Sequence, residues 1–143
     1  MNPAELSDRL WLFAARVGKV VDALPNTRLG RHVAGQLVRS GTAAGPNYDE
    51  GRVGESRADF VHKITIALKE LNETNGWLKF IATAKLLPEH KVAALRDECE
   101  QLCKILASSA LTAKKNAGGR GGRRQIANQQ SSIINHQSPD VRI

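Results

Sequence analysis

The stretch from Arg39 to Leu78, RSGTAAGPNYDEGRVGESRADFVHKITIALKELNETNGWL, decides how this chain folds. In its second half Phe60, Ile64, Ala67, Leu71, Thr74 and Leu78, continued by Ile81, recur at alternating spacings of four and three. That is the period of a helix with one buried stripe. Leu68 and Trp77 widen the stripe, so the helix offers a face to two neighbours and is expected to run to about Leu86. Ser56 followed by Asp59 gives it a box-like start, Asp standing where Glu is usual. Polar residues sit where a plain bundle would be apolar: Arg39, Ser40, Thr42, Asn47, Tyr48 and Glu50, then Lys63, Lys69, Glu70, Glu73 and Thr74. Polar groups at buried or interfacial positions need partners, so these residues specify something beyond apolar packing.

The first half of the stretch continues a helix that begins upstream, capped by Asn26 or Thr27, with Leu29, Val33 and Leu37 facing inward. Gly41, Gly45 and Pro46 all disfavour an unbroken helix, and Pro46 has no N–H for the carbonyl four residues back. A kink near Thr42 is expected, with Tyr48 and Val53 continuing the inward face and Gly51 and Gly54 ending it. Before this, Asn2, Pro3 and Glu5 form a capping box for a helix from about Pro3 to Leu24, whose stripe is Leu6, Leu10, Phe13, Val17, Val20 and Leu24. After it, Pro88 is expected to open a last helix, where Val92, Leu95, Cys99, Leu102, Leu106 and Ser109 keep the spacing until about Lys115 and Gly118 and Gly119 stop it. Four such helices with short connections predict an all-α fold, an antiparallel up-and-down four-helix bundle over residues 1–116. Residues 117–143, AGGRGGRRQIANQQSSIINHQSPDVRI, form a basic tail rich in Gly, Gln, Asn and Ser, with the composition of a segment disordered on its own.

Composition supports one domain, since 143 residues supply one core and aromatics are only 4%. No uncharged apolar run reaches the roughly 18 residues of a membrane span, and no leader peptide is legible, which makes the cytoplasm the expected location. The net charge of +7 is unevenly placed. Lys114, Lys115, Arg120, Arg123, Arg124 and Arg142 against Asp140 put +5 on residues 114–143, leaving +2 for the rest. A basic arm on a near-neutral domain points to an anionic partner.

Candidate chemistry is sparse. Cys99 and Cys103 lie one turn apart, too few for a tetrahedral metal site, and are expected to be buried thiols. Arg57 and His62 have the spacing of an Arg-x4-His ribonuclease element, in which His moves protons and Arg stabilises phosphate charge. Residues five apart on a helix nevertheless point about 140° apart. Arg39, Asn47, Tyr48, Glu50, Lys69, Glu70 and Glu73 are expected to form a polar network or subunit interface in which Arg39 meets Glu70 or Glu73. Arg28, Arg31, Arg39, Arg52, Lys63, Lys114 and Lys115, with Arg120, Arg123 and Arg124 in the tail, are the candidate nucleic-acid contacts. Such contacts are salt-sensitive and nearly sequence-blind, and few aromatics are available for base stacking. No catalytic residue, metal or cofactor is assigned, and a protein-binding scaffold is the alternative within binding proteins.

Several motifs together carry a family resemblance. They are Leu10-x-x-Phe13-Ala14; Gln36-Leu37-x-Arg39-Ser40-Gly41-Thr42 through Asn47-Tyr48-x-Glu50; Asp59-Phe60-x-x-Lys63; Ile66-Ala67-Leu68-Lys69-Glu70; and Glu73-Thr74-x-x-Trp77-Leu78. With them the chain resembles, over about residues 5–114, the four-helix-bundle proteins encoded by intervening sequences of bacterial large-subunit ribosomal RNA genes. The resemblance implies a homopentamer shaped as a squat barrel with a central channel. It also implies kinship with the accessory protein of diversity-generating retroelements, a pentamer that binds nucleic acid and works with a nucleic-acid-processing enzyme, a reverse transcriptase. Pro46 departs from the family pattern, which usually has Ala there, and the tail lies outside it.

Overall fold

The computed structural model describes residues 1–118. Helix α1 spans Pro3–Ala23, α2 Arg28–Gly41, α3 Ala44–Arg52, α4 Arg57–Thr83 and α5 Ala93–Gly118, with a 3-10 turn at Glu89–Lys91. Helices α2 and α3 follow one another along one side, so the five helices fill the four positions of a bundle. α4 packs on α2, α3 and α5, while α1 packs on α2 and α3 and closes the ring against α5. No strand occurs among the described residues.

The start signals act as their chemistry requires. Asn2 Oδ1 accepts the Glu5 N–H at 2.9 Å and the Glu5 carboxylate accepts the Asn2 N–H at 3.3 Å, which makes the box reciprocal. Thr27 caps α2 by accepting from Gly30 N at 3.0 Å, and Ser56 caps α4 by accepting from Asp59 N at 3.1 Å. Every position of the α4 stripe from Phe60 to Ile81 is buried, as are Val92, Leu95, Cys99, Leu102, Leu106 and Ser109 opposite it. Truncating one such leucine to alanine typically costs about 2–5 kcal/mol.

Four expectations are corrected. The second helix is broken, where a kink was expected. Regular helix stops at Gly41 and resumes at Ala44. Pro46 leaves the Thr42 carbonyl without its helical donor, while Asn47 returns to Ala43 O through both its backbone N–H, at 3.2 Å, and its side chain, at 2.8 Å. Leu29 and Val53 do not face inward: Leu29 lies on the outer side of the first turn of α2, and Val53, 84% exposed, falls in the turn that ends α3. α4 stops at Thr83, short of Leu86, because Lys85 adopts φ 56° and turns the chain. Pro88 opens the 3-10 turn, and α5 begins only at Ala93. The expectations for residues 119–143 lie outside the described residues.

Close approach of α1 and α2 depends on Gly41. A Cβ there would lie 2.6 Å from Val17 Cγ1, so the two helices meet at a distance only glycine allows.

Candidate functional site

The polar residues of the deciding stretch fall into separate groups. Between α2 and α4 the Thr74 hydroxyl donates to Ser40 Oγ at 2.9 Å, and Ser40 donates to the Leu37 carbonyl at 3.4 Å. Both side chains are fully buried, so this pair satisfies its polarity within the core. At the surface of the same interface, Arg39 of α2 reaches Glu70 Oε2 at 2.9 Å and also pairs with Glu73, both on α4. Hydrogen bonding to Glu73, with the field of both carboxylates, raises the Arg39 pKa further above its ordinary value.

Asn47 is spent on the helix break, and Tyr48 is buried with its ring edge-on to Phe60 at 6.3 Å. Glu50 pairs with Lys63 at 3.0 Å. Lys69 is exposed and enters none of these pairs. The predicted set is therefore one Arg–Glu–Glu cluster, one Glu–Lys pair and a core tyrosine, not a single network.

The basic candidates divide by company. Arg39 and Lys63 are paired as above, and Arg52 lies 3.7 Å from Asp49 with its guanidinium 5.8 Å from the Tyr48 ring centre. Arg31 donates to the side-chain and backbone oxygens of Asn26 at 3.0 and 3.3 Å. Arg28, Lys114 and Lys115 are exposed and take part in none of the ion pairs among the described residues. Arg120, Arg123 and Arg124 lie outside the described residues.

Two groupings escaped sequence reasoning. Arg9 of α1 is buried in a bidentate pair with Glu98 of α5, both contacts at 2.7 Å, and also donates to Gln101 at 2.9 Å. The signal was present: Arg9 and Glu98 are opposite charges sitting on the apolar stripes of their helices. Asp49 is the other centre, accepting from Ser7 at 2.6 Å and from the Trp11 indole at 2.9 Å, which ties α1 to α3.

The third feature is an open depression of about 480 Å³ lined by Arg57, Ala58, Val61, His62 and Thr65 of α4 and Lys114 of α5. Arg57 and His62 do diverge by about 140° around α4, but the depression spans that whole arc, with Val61, Thr65 and Ala58 between them. They stand at its two rims.

Of the thiols, Cys99 is buried and donates to the Leu71 carbonyl at 3.1 Å. Cys103 is only half-buried, contrary to expectation, and donates to Asn72 Oδ1 at 3.5 Å. The neighbouring Cys103 thiol and burial push the Cys99 pKa up, and the neighbouring Cys99 lowers that of Cys103. No group of three or more His, Cys, Asp or Glu side chains suited to a metal ion occurs among the described residues.

The family model of the 23S rRNA-intervening sequence proteins matches residues 8–108. The chain belongs to that family. A solved structure of similar shape supports the membership of this intervening-sequence protein. It is a protein of unknown function from the S23 ribosomal protein family of Bacteroides thetaiotaomicron, 32% identical, with a TM-score of 0.68, covering 72% of this chain and 95% of its own. No curated protein matches the chain. Neither the family description nor that of the solved structure names an enzymatic activity. No helix among the described residues is long and apolar enough to cross a membrane.

Proposed function

We propose that this intervening-sequence protein is a non-enzymatic, oligomeric helical bundle of the cytoplasm that binds RNA or DNA without sequence preference through its basic surface and tail. The observation that carries the proposal is the distribution of uncommitted charge. Arg39, Arg52 and Lys63 are partly neutralised by carboxylates, whereas Lys114 and Lys115, at the end of α5, enter none of the ion pairs among the described residues, and from there the sequence runs on into Arg120, Arg123 and Arg124. A homopentamer would repeat this cluster five times and turn a modest patch into a strong field. A nucleic-acid-processing enzyme is the natural further partner for such an assembly.

Fluorescence anisotropy of labelled single-stranded RNA and DNA across a salt series tests the proposal. Affinity should fall with salt, the logarithmic slope being about −0.7 per neutralised phosphate, and should drop in the Arg120→Ala/Arg123→Ala/Arg124→Ala variant. No binding at low salt by an intact assembly would leave the protein scaffold in its place. A second reading, metal-independent ribonuclease, draws support from the depression that Arg57 and His62 share. RNA cleavage by the wild type, abolished in His62→Ala, would establish it.

A further inference from the structure

The α4–α5 hairpin brings the first two turns of α4 beside the last turns of α5, and the depression sits where they meet. Arg57 and His62 stand on either side of it, Lys114 contributes from the second helix, and no carboxylate among the described residues lines it. His62 and Lys114 are in none of the ion pairs among the described residues, unlike Arg39, Arg52 and Lys63. The opening turn of α4 adds the positive end of its helix dipole, offset in part by Asp59 in that same turn. Between Arg57 and His62, Val61 and Ala58 give apolar surface and Thr65 a hydroxyl, although that hydroxyl also donates to the Val61 carbonyl at 2.7 Å. The volume, about 480 Å³, falls within the ~300–1,000 Å³ of small-ligand sites. Positive charge beside apolar surface matches a group with an anionic end and a flat, less polar body.

We propose that this depression is a nucleotide-binding site, holding one phosphate between Arg57, His62 and Lys114 and laying the attached sugar and base over Val61 and Ala58. The site deepens the nucleic-acid reading by giving it a defined contact on the folded domain, and it makes Arg57, His62 and Thr65 binding residues that the basic-surface picture omits. Six to ten residues beyond Lys114 the sequence places Arg120, Arg123 and Arg124, close enough along the chain for neighbouring phosphates of one strand to meet both.

The test uses the full chain, with two probes and two variants. Anisotropy with a labelled single-stranded RNA oligonucleotide is compared for wild type, His62→Ala and Lys114→Ala, both exposed positions, each checked for folding by circular dichroism. In parallel, the imidazole proton resonances of His62 are followed during titration with uridine 5′-monophosphate and, separately, inorganic phosphate. Affinity for the RNA should fall about tenfold in each variant, and Lys114→Ala should shallow the salt slope by about 0.7. His62 resonances should shift with the nucleotide at lower concentration than with inorganic phosphate; equal shifts would reduce the site to a simple anion site and overturn the nucleotide assignment. RNA binding of wild-type strength in both variants, with still His62 resonances, would overturn the site while leaving the basic-surface reading intact. His62 shifts with the nucleotide but no RNA binding by the wild type would do the reverse. Neither response would overturn both.

Discussion

Individual side chains set stability here where charge is buried. Arg9 and Glu98 have each left water, and their attraction offsets that cost only while both are present. Arg9→Ala or Glu98→Ala alone should therefore destabilise the bundle by about 3–5 kcal/mol. The double replacement Arg9→Met/Glu98→Leu should recover most of that loss, because an apolar pair of similar volume leaves no charge stranded. Urea denaturation of the three variants checks this; equal losses in the single and double variants would show that the pair is not the cause. The thiols offer a second prediction. Cys103 is half exposed and its pKa is lowered, so at any given pH below it more thiolate is present than in an ordinary cysteine. Cys99 is buried and shifted the opposite way. Iodoacetamide near pH 8 should label Cys103 first, with Cys99 reacting only once the protein unfolds, as mass spectrometry of peptides can follow; faster labelling of Cys99 would contradict the geometry.

At the scale of helices, the end of α4 shows how a local signal can be overridden. Leu86 continues the apolar pattern, yet the helix stops at Thr83 and Lys85 adopts φ 56°. The reason lies in two bonds: Lys85 N–H to Ala82 O at 3.2 Å and Leu86 N–H to Ile81 O at 2.9 Å, which together form a Schellman cap and fold Leu86 back against the core. Lysine pays a steric cost in this left-handed position that glycine does not. Lys85→Gly should thus raise stability by about 0.5–1 kcal/mol, and Lys85→Val should lower it, measured as shifts in the denaturation midpoint. A loss on Lys85→Gly would mean that the lysine side chain contributes more than its backbone strain costs. The α1 capping box, the Ser56 cap of α4 and the stripes of α1, α4 and α5 were legible in the sequence because each rests on residues within a few turns of one another. The stop at Lys85, the late start of α5 and the outward turn of Leu29 and Val53 were not, since no glycine occupies the left-handed position of the first, Pro88 three residues on reads equally as the start of the next helix, and the others depend on where neighbouring helices end. The depression was half legible: Arg57 and His62 stood out, but Lys114 joins them only through the packing of α4 on α5.

Across the whole molecule, the exposed side of the α2–α4 interface asks for a partner. The rings of His32 and Trp77 lie 6.0 Å apart and those of Trp77 and Phe80 5.9 Å apart, both edge-on, while Leu29 and Val38 add further exposed apolar surface on α2. Arg39, with Glu70 and Glu73, charges the same interface. An ion pair this exposed adds little to a lone bundle, so stability of the single chain gives little reason for it. Contact between copies gives a better one, because a second protomer would shield the cluster from water and make its geometry consequential. In the proposed oligomer, Arg39→Ala should accordingly leave helix content unchanged while shifting the mass of the protein toward the protomer. Its RNA affinity should change far less than that of the tail triple variant when both are measured on the same protomer concentration. Light scattering coupled to size-exclusion chromatography reads the first quantity and anisotropy the second. A variant that keeps its full oligomeric mass would place the subunit contacts elsewhere, and one that keeps its mass but loses RNA binding would move Arg39 from the assembly surface to the nucleic-acid surface.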